Sequence, residues 1–489
     1  MSARRFGADD ARRVDAVAAD LVARYHLPGL GLGVVRGAEL VHAAGYGWAD
    51  IEARRPHGPG VRQRIGSITK TMVALCLMRL VDAGRLGLDA RVLDLLPELR
   101  LHGHGDRLTV RHLMTHTGGI GEAPTIADVA NPLRRLWCDA PRTQSLVEKY
   151  PTGIEIEVPP GTKWHYANHG WMLLGEVLAR LEGEPVEAVL ARRIFAPLGM
   201  ADTDLHDRRV ASLSVGYRQR PSHEALDQAE LVGVEPPDGA LVDGHNFVGP
   251  WVHVDGRAAG AVQSTVEDMA RYAAAMLARG AGIVAPPAFD SMLEAHWCPD
   301  PRLMSMGLGF FRYPRLGEGC FGHTGGVEGG WSTDLTVVPG HDTAIVVHLN
   351  LYTDDAREIF ARIARAVLGL GPVEVRGEMP TPEARRRLVG VYSLPPGKLT
   401  NSRPLRAHGR LQVTDEAGEL VLRSRRGAWR QGVRLLPADP ADDHLFALDV
   451  DSVDPPRVAF VRDAAGMVSG LRLDRMAWMP RDQGLEPWA

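Results

Sequence analysis

The sequence predicts an α+β protein: an antiparallel sheet assembled from both ends of a long first domain, a mainly helical lobe between them, and a small all-β, barrel-like domain behind. Three observations carry this reading. Segments follow in the order helix, hairpin, helical insertion, strands, helix, which brings distant strands into one sheet. Residues 371–387 then shift in composition, with Pro372, Pro380, Pro382 and several charges making a linker-like stretch. Beyond it only short alternating runs remain. The expected units are 1–372, a linker 373–387, and 388–489. With 489 residues, 45% hydrophobic and 24% charged, each unit is large enough to bury its own core.

The elements follow in order. Residues 10–24 place Val14, Val17, Leu21 and Val22 at helical spacing, and Pro28-Gly29 closes them. Extended runs at 30–36 and 39–44 turn at Gly37-Ala38 as a hairpin. After Gly66 a helix carries Met72, Leu75, Cys76, Met78 and Leu80 and stops at Gly84. Further helices are expected from Trp171 to Leu181, ending at Gly183, and over 266–277, where Ser264 or Thr265 can cap the end bearing Glu267 and Asp268. Two runs between 335 and 349 flank Pro339-Gly340-His341-Asp342 as a second hairpin, and a helix over 355–368 presents Ile359, Phe360, Ile363 and Val367 on one face. The tail holds strands at 410–413, 419–423, 457–462 and 468–473, with turns at 415–418 and 463–466.

Charge and composition exclude several functions. A net charge of −4 gives no field for nucleic acid or acidic membranes, and there is no Walker loop or Rossmann fingerprint. Cys76, Cys138, Cys298 and Cys320 are scattered with no C-x-x-C pair, so neither a disulfide framework nor a structural zinc site is expected. Residues 1–25 carry Asp9, Asp10, Asp15 and Asp20 with no long apolar run, so neither a secretory leader nor a membrane anchor is expected there. A cytoplasmic location is the expectation. His102, His104, His112 and His116 lack an H-E-x-x-H pattern or an acidic partner at the right offset, so no metal and no cofactor is expected.

Lysine occurs only at Lys70, Lys149, Lys163 and Lys398, and the rest of the 56 lysines and arginines are arginine. Arginine cannot give up its proton in a protein, but a buried lysine can. Lys70 closes the chain's single S-x-x-K, Ser67-Ile68-Thr69-Lys70. Ser67 falls in the first turn of the helix after Gly66, and Lys70 lies one turn on along the same face. A serine hydroxyl attacks only when a base takes its proton, and a desolvated neutral lysine can do so. The same four residues also suit a plain helix cap with a surface lysine. Tyr166-Ala167-Asn168 combines a proton-relaying phenol with an amide able to orient lysine and substrate, or is a turn tyrosine beside a capping Asn. His323-Thr324-Gly325-Gly326 allows close approach by a substrate main chain, or is a glycine-rich turn. Lys163 reads as a surface residue. Trp137, Trp164, Trp171, Phe247, Trp251 and Trp331 are candidates either for a cleft or for core.

Taken together, the order and separation of the three motifs resemble the serine β-lactamase and penicillin-binding protein superfamily. Further stretches are similar to its class C-like esterase and D-aminopeptidase branch: Arg64 to Lys70, Leu113-Met114-Thr115-His116-Thr117-Gly118-Gly119-Ile120, Phe195-Ala196-Pro197-Leu198-Gly199-Met200, and Ala259 to Thr265. The resemblance spans roughly 10–370. The tail is similar to the small lipocalin-like barrels appended to some members.

The resemblance implies a β-lactamase/transpeptidase-like fold and a role for each motif. Ser67 would be the acyl-accepting nucleophile, with Lys70 and Tyr166 sharing general-base and general-acid work. Asn168 and the stretch His323, Thr324, Gly325 and Gly326 would bind substrate, with the N–H groups of Ser67 and Gly326 as oxyanion hole. His323 would face the site. It departs from the lysine that opens this motif in true β-lactamases, and as a weaker, pH-dependent cation it points away from penicillin hydrolysis. The implied activity is cofactor-free hydrolysis of a small-molecule ester, amide or peptide, D-amino-acid derivatives included. An acyltransferase using the same residues, and an inactive binding protein on the same fold, are the alternatives. Residues 119–150 and 204–257 are the expected specificity loops.

Overall fold

The computed structural model describes residues 6–129, 137–138, 144–205, 208–220, 240–375, 377–474, 477–482 and 485. The side chains of Trp137 and Cys138 and part of each expected specificity loop lie outside what is described.

The central sheet has eight strands, and its middle joins the two ends of the first region. Thr343–Leu349 pairs antiparallel with Gly29–Arg36, from Leu30 opposite Leu349 to Arg36 opposite Thr343. On one side follow Glu39–Asp50 and Arg55–Pro56, and on the other Trp331–Val338, Phe321–Val327, Phe311–Arg312 and Ser305–Met306. The first hairpin is longer than the sequence suggests, because Glu39–Asp50 keeps pairing past residue 44 through Gly47 opposite Gly29.

The two faces of the sheet carry different cores. Leu30, Leu32, Val34, Ile345 and Val347 pack against Val14, Ala18 and Leu21 of the helix Ala8–Arg24 and Ile359, Ile363 and Val367 of the helix Ala356–Leu368. Both helices show the apolar stripe that the 3.6-residue period requires of a one-sided contact. On the other face the helix Thr69–Asp82 runs through the lobe with every residue from Thr69 to Met78 buried. Its neighbours include Trp171, Leu174 and Val177 of the helix Asn168–Glu182 and Met269, Tyr272 and Met276 of the helix Val266–Leu277. A helix apolar on all sides has no solvent face to satisfy, which suits the middle of a lobe. Thr265 caps the last of these helices by accepting from Asp268 N at 3.1 Å.

Residues from Gly390 to Asp482 form a closed antiparallel barrel of eight strands, sealed where Val391 and Tyr392 meet Asp482 and Arg481. Leu411, Leu422, Phe446 and Phe460 fill it. Closure leaves no sheet edge exposed. Within the stretch read as linker, Pro382–Leu388 is a helix: Thr381 caps it, Pro382 opens it, and Leu388 drops into the barrel core. No helix among the described residues is long and apolar enough to cross a membrane.

The barrel docks on the first region through charge. Glu157 accepts from the N–H groups of Lys398, Leu399 and Thr400 at 2.5, 3.0 and 2.8 Å, and from the Thr400 hydroxyl at 2.7 Å. Arg302 pairs with Asp442 at 2.7 Å, and Arg315 with Asp454 and Asp474 at 3.0 and 2.5 Å. A cavity of about 940 Å³ is left between the two parts.

Candidate active site

Ser67 sits in a short 3-10 turn, Gly66–Ile68, that feeds directly into the helix Thr69–Asp82. Two glycines bring the strand Phe321–Val327 against that turn. Gly66 has φ +52°, and a Cβ there would lie 2.7 Å from Gly326 N; a Cβ on Gly325 would lie 2.0 Å from the Ile65 carbonyl oxygen. Thr333, on the adjacent strand, fastens the same place by donating to the Ile65 carbonyl at 2.9 Å. Ser67 is half-buried and opens onto the cavity.

Lys70 is wholly buried one turn along, and its Nζ lies 2.9 Å from Ser67 Oγ. It donates to Asn168 Oδ1 at 2.9 Å and to the Ala259 carbonyl at 2.5 Å. Burial, reinforced by the charge of Arg403, holds its pKa well below the usual lysine range. A neutral amine has two N–H donors and one lone pair. In that neutral form, donors given to Asn168 and Ala259 would leave the lone pair for the Ser67 hydroxyl. A surface lysine on a cap, the plainer reading of the motif, is therefore excluded.

Tyr166 ends the segment before the helix Asn168–Glu182, hydrogen-bonded to Ser67, with its ring centroid 5.1 Å from Lys70 Nζ. Burial pushes its pKa up to about 12, so the phenol keeps its proton. Asn168 is the first helical residue and not the cap, and its side chain turns inward to Lys70.

The strand carrying His323 alternates as a pleat must. His323 and Gly325 are buried, while Thr324 and Gly326 face out beside Ser67 in the cavity wall. On this strand Phe311–Arg312 reaches only Phe321 and Gly322, so the edge beyond them is unpaired among the described residues. His323 lines the cavity between Phe311 and Tyr166, at ring separations of 4.9 and 6.3 Å. Its Nδ1–H donates to the Thr324 carbonyl at 2.6 Å, and burial lowers its pKa to about 3. Burial thus adds to what an imidazole's ordinary value already favours, a ring that is neutral near pH 7.

Several contributors carry no motif of their own. His116 stacks on Tyr166 at 4.3 Å, takes the Ala167 N–H at 3.0 Å and lies 3.2 Å from Trp171 Nε1. Its place in the Leu113–Ile120 stretch was visible, but this bracing of Tyr166 was not. Lys163 is half-buried and not a surface residue; it donates to Thr400 Oγ1 at 3.0 Å and to Asn401 of the barrel. Burial lowers its pKa to about 8. Arg403, from the short barrel-side helix Ser402–Ala407, places Cζ 4.9 Å from the Tyr166 ring centroid and pairs with the buried Glu122 at 2.9 Å.

The aromatic candidates divide. Trp164 lines the cavity, joined by Trp297, Phe311 and Tyr352, which the sequence did not single out. Trp171 and Phe247 are core, and Trp251 and Trp331 flank the guanidinium of Arg64 at 4.1 and 5.6 Å. Among the described residues one group could hold a metal ion, Asp442, Asp443 and His444 in the barrel, where Arg302 and Arg462 already pair with the two carboxylates.

Known proteins resemble this chain in sequence and in fold. The family model described as Beta-lactamase matches residues 14–368. Esterase EstB of Burkholderia gladioli is 32% identical over 240 residues, 47% of this chain and 60% of EstB. The chain thus spans about three fifths of that relative, and about half of the Staphylococcus aureus protein flp, with which it shares 22% identity over 249 residues. The octameric penicillin-binding protein homologue from Pyrococcus abyssi superposes with a TM-score of 0.60 at 21% identity, over 96% of this chain and all of that one. That likeness extends through the barrel.

Proposed function

The chain belongs to the beta-lactamase family, and from that membership and the Ser67 geometry we propose that it is a cofactor-free serine hydrolase acting through an acyl-enzyme. Its substrates in this reading are small esters, or amides and peptides that include D-amino acids. The observation that carries the proposal is the buried Lys70 amine, 2.9 Å from Ser67 Oγ and also bonded to Asn168 and Ala259, with burial holding its pKa well below the usual lysine range. A structural descendant has no need of a desolvated amine aimed at a serine, because leaving it there costs stability.

The steps follow from the groups present. Lys70 takes the proton of Ser67 as Oγ attacks the acyl carbon. The N–H groups of Ser67 and Gly326 receive the oxyanion, helped by the N-terminal end of the helix behind Ser67. Tyr166, still protonated, passes its proton to the leaving group and regains one from Lys70, so the acyl-enzyme forms with no net change in the site's protonation. Water then reverses the sequence and releases the acid. Asn168 holds Lys70 and the substrate, and the open strand edge of His323 to Gly326 pairs with substrate main chain. In this reading 1–372 carries the chemistry and 388–489 shapes the entrance. EstB's name supports the ester branch. An alcohol or amine that reaches the acyl-enzyme before water would give acyl transfer from the same intermediate.

The test is intact-protein mass spectrometry after a fluorophosphonate probe, with p-nitrophenyl acetate turnover, on the native protein and Ser67→Ala. One adduct and ester turnover, both lost in Ser67→Ala, are expected. A folded native protein with neither would leave a binding role, and an adduct surviving Ser67→Ala would identify another nucleophile.

A further inference from the structure

We propose that the cavity has a second compartment, on the face of the sheet turned away from the helical lobe, and that it receives the hydroxyl-bearing end of an extended, uncharged acyl group. The inference rests on the hydrolase reading above and adds to it the length and chemistry of the substrate.

One cavity touches both faces of the strand Phe321–Val327. Its lining includes His323 on one face and Thr324 and Gly326 on the other, so it bends round the unpaired edge of that strand. On the neighbouring strand Leu335 and Val337 belong to the lobe core, while Ser332, Asp334 and Thr336 alternate to the opposite face and line the cavity. Phe360, Ala361 and Ala364 of the helix Ala356–Leu368, together with Leu316 and the barrel residues Leu473 and Trp478, enclose this far arm. The walls are therefore mainly apolar, and alanines on the helix leave the room.

Asp334 is the polar group set into them. It is 3% exposed, and its carboxyl accepts one hydrogen bond among the described residues, from the Thr336 hydroxyl to Oδ2 at 2.7 Å. A buried carboxyl with an oxygen left over is a place for a ligand's polar group. Charge decides which group. Arg315, Arg357 and Arg472 line the same arm and disfavour an ammonium, and a carboxylate would meet Asp334 itself. Burial pushes the pKa of Asp334 up to about 7, so near neutrality the acid both gives and takes hydrogen bonds. A hydroxyl answers either state.

The register sets the reach. Gly326, against the Ser67 turn, lies opposite Ser332, and Thr324 opposite Asp334. Two residues along a strand and one strand across make about 8 Å, the length of a medium acyl chain. Tyr166, which serves the leaving group, stands beside His323. A chain passing Gly326 is accordingly the acyl part.

The test compares p-nitrophenyl acetate, p-nitrophenyl alkanoates of about six to ten carbons, and the same alkanoates with a terminal hydroxyl. Rates are normalised to uncatalysed hydrolysis. In kcat/KM the best alkanoate should exceed acetate by about 10- to 100-fold through apolar burial. One hydroxylated chain should exceed its parent by about 5-fold, the worth of one net hydrogen bond. Asp334→Leu should erase the hydroxyl factor and keep the chain factor, whereas Asp334→Asn, still able to give and take, should retain both. Ala361→Phe, which fills the arm from the helix, should bring the chain factor toward one, and thermal melts report whether each variant is folded. The inference is overturned by hydroxylated chains no better than their parents at every length, or by a hydroxyl factor that survives Asp334→Leu. A chain factor untouched in folded Ala361→Phe overturns it too, since the chain would then lie elsewhere. Acetate turnover that depends on Ser67 without any chain factor removes this inference alone; no Ser67-dependent turnover of any ester removes the hydrolase reading with it.

Discussion

Gly325→Ala is the sharpest probe of how the site is assembled. The new Cβ would fall 2.0 Å from the Ile65 carbonyl oxygen and 2.4 Å from Thr333 Oγ1, where real contacts begin near 3.0 Å. Neither obstacle can swing away: one is backbone, and the other is fastened to that same carbonyl. The strand bearing Thr324 and Gly326 must therefore retreat from the turn bearing Ser67 by about 1 Å, the difference between those distances. A displacement of that size between reacting groups costs about 100-fold in rate. Overpacking costs about 1–3 kcal/mol in stability, a drop of several degrees in Tm. The assay is kcat/KM for p-nitrophenyl acetate beside a thermal melt. Gly340→Ala, whose Cβ meets nothing closer than 3.8 Å, is the control expected to behave as the native protein. A Gly325→Ala protein with near-native turnover and Tm would refute the claim that this glycine sets the spacing of strand and nucleophile.

Three further outcomes follow from the same structure. The kcat/KM for an ester should rise with pH along a single limb whose midpoint lies below the ordinary lysine value of 10.5, because only unprotonated Lys70 can accept the Ser67 proton; a midpoint at that ordinary value would contradict the buried amine. Asp334, buried opposite Thr324 on the adjacent strand, has its carboxyl pushed up to about 7 by burial. A raised folded value means its stabilising contribution is complete below the unfolded value of 3.8 and is lost as pH rises through 7. Asp334→Asn should accordingly match the native protein near pH 4 and exceed it at pH 8 by up to about 4 kcal/mol, read as Tm against pH. In Glu157→Gln the amide offers one acceptor where the carboxylate offered two, so hydrogen exchange at the N–H groups of 398–400 should quicken by about 10- to 100-fold; unchanged protection would mean the loop is held elsewhere.

What the sequence could reveal depended on whether a contact is local. Ser67 and Lys70 share one helical turn, so their pairing follows from spacing alone, as does the stop at Gly84, where φ is +68°. The sheet was legible because turn residues punctuate it: Gly37 at φ +56° and Asp342 at φ +48° mark the two hairpins whose strands meet in the middle. The helix Pro382–Leu388 hid behind composition, although Thr381 followed by Pro382 is a start signal. The barrel strands Gly390–Tyr392 and Leu445–Leu448 have three and four residues, too short for a period of two to stand out. Lys163 was misjudged because its loop is polar; its partners Thr400 and Asn401 come from the other unit, and no local rule reaches them.

The electrostatic design of the site explains why its most informative residue was the least visible. A dry pocket makes a lysine into a base by forbidding its charge, and that prohibition acts on every ionisable neighbour alike. It lowers the basicity of His323 as it does that of Lys70, so a ring that is mostly neutral near pH 7 in water stays neutral there in the pocket. A guanidinium keeps its charge beside the same pocket, and Arg403 does so with its side chain partly exposed and paired with Glu122. In a chain where arginine is the default base, one more arginine in a loop attracts no notice. Only docking of the barrel, secured at Glu157 and Lys163, carries Arg403 to Tyr166. Ser67 with its neighbours, and the guanidinium beside Tyr166, thus come from two different folding units, and a change at their interface should move Arg403 before it moves Ser67.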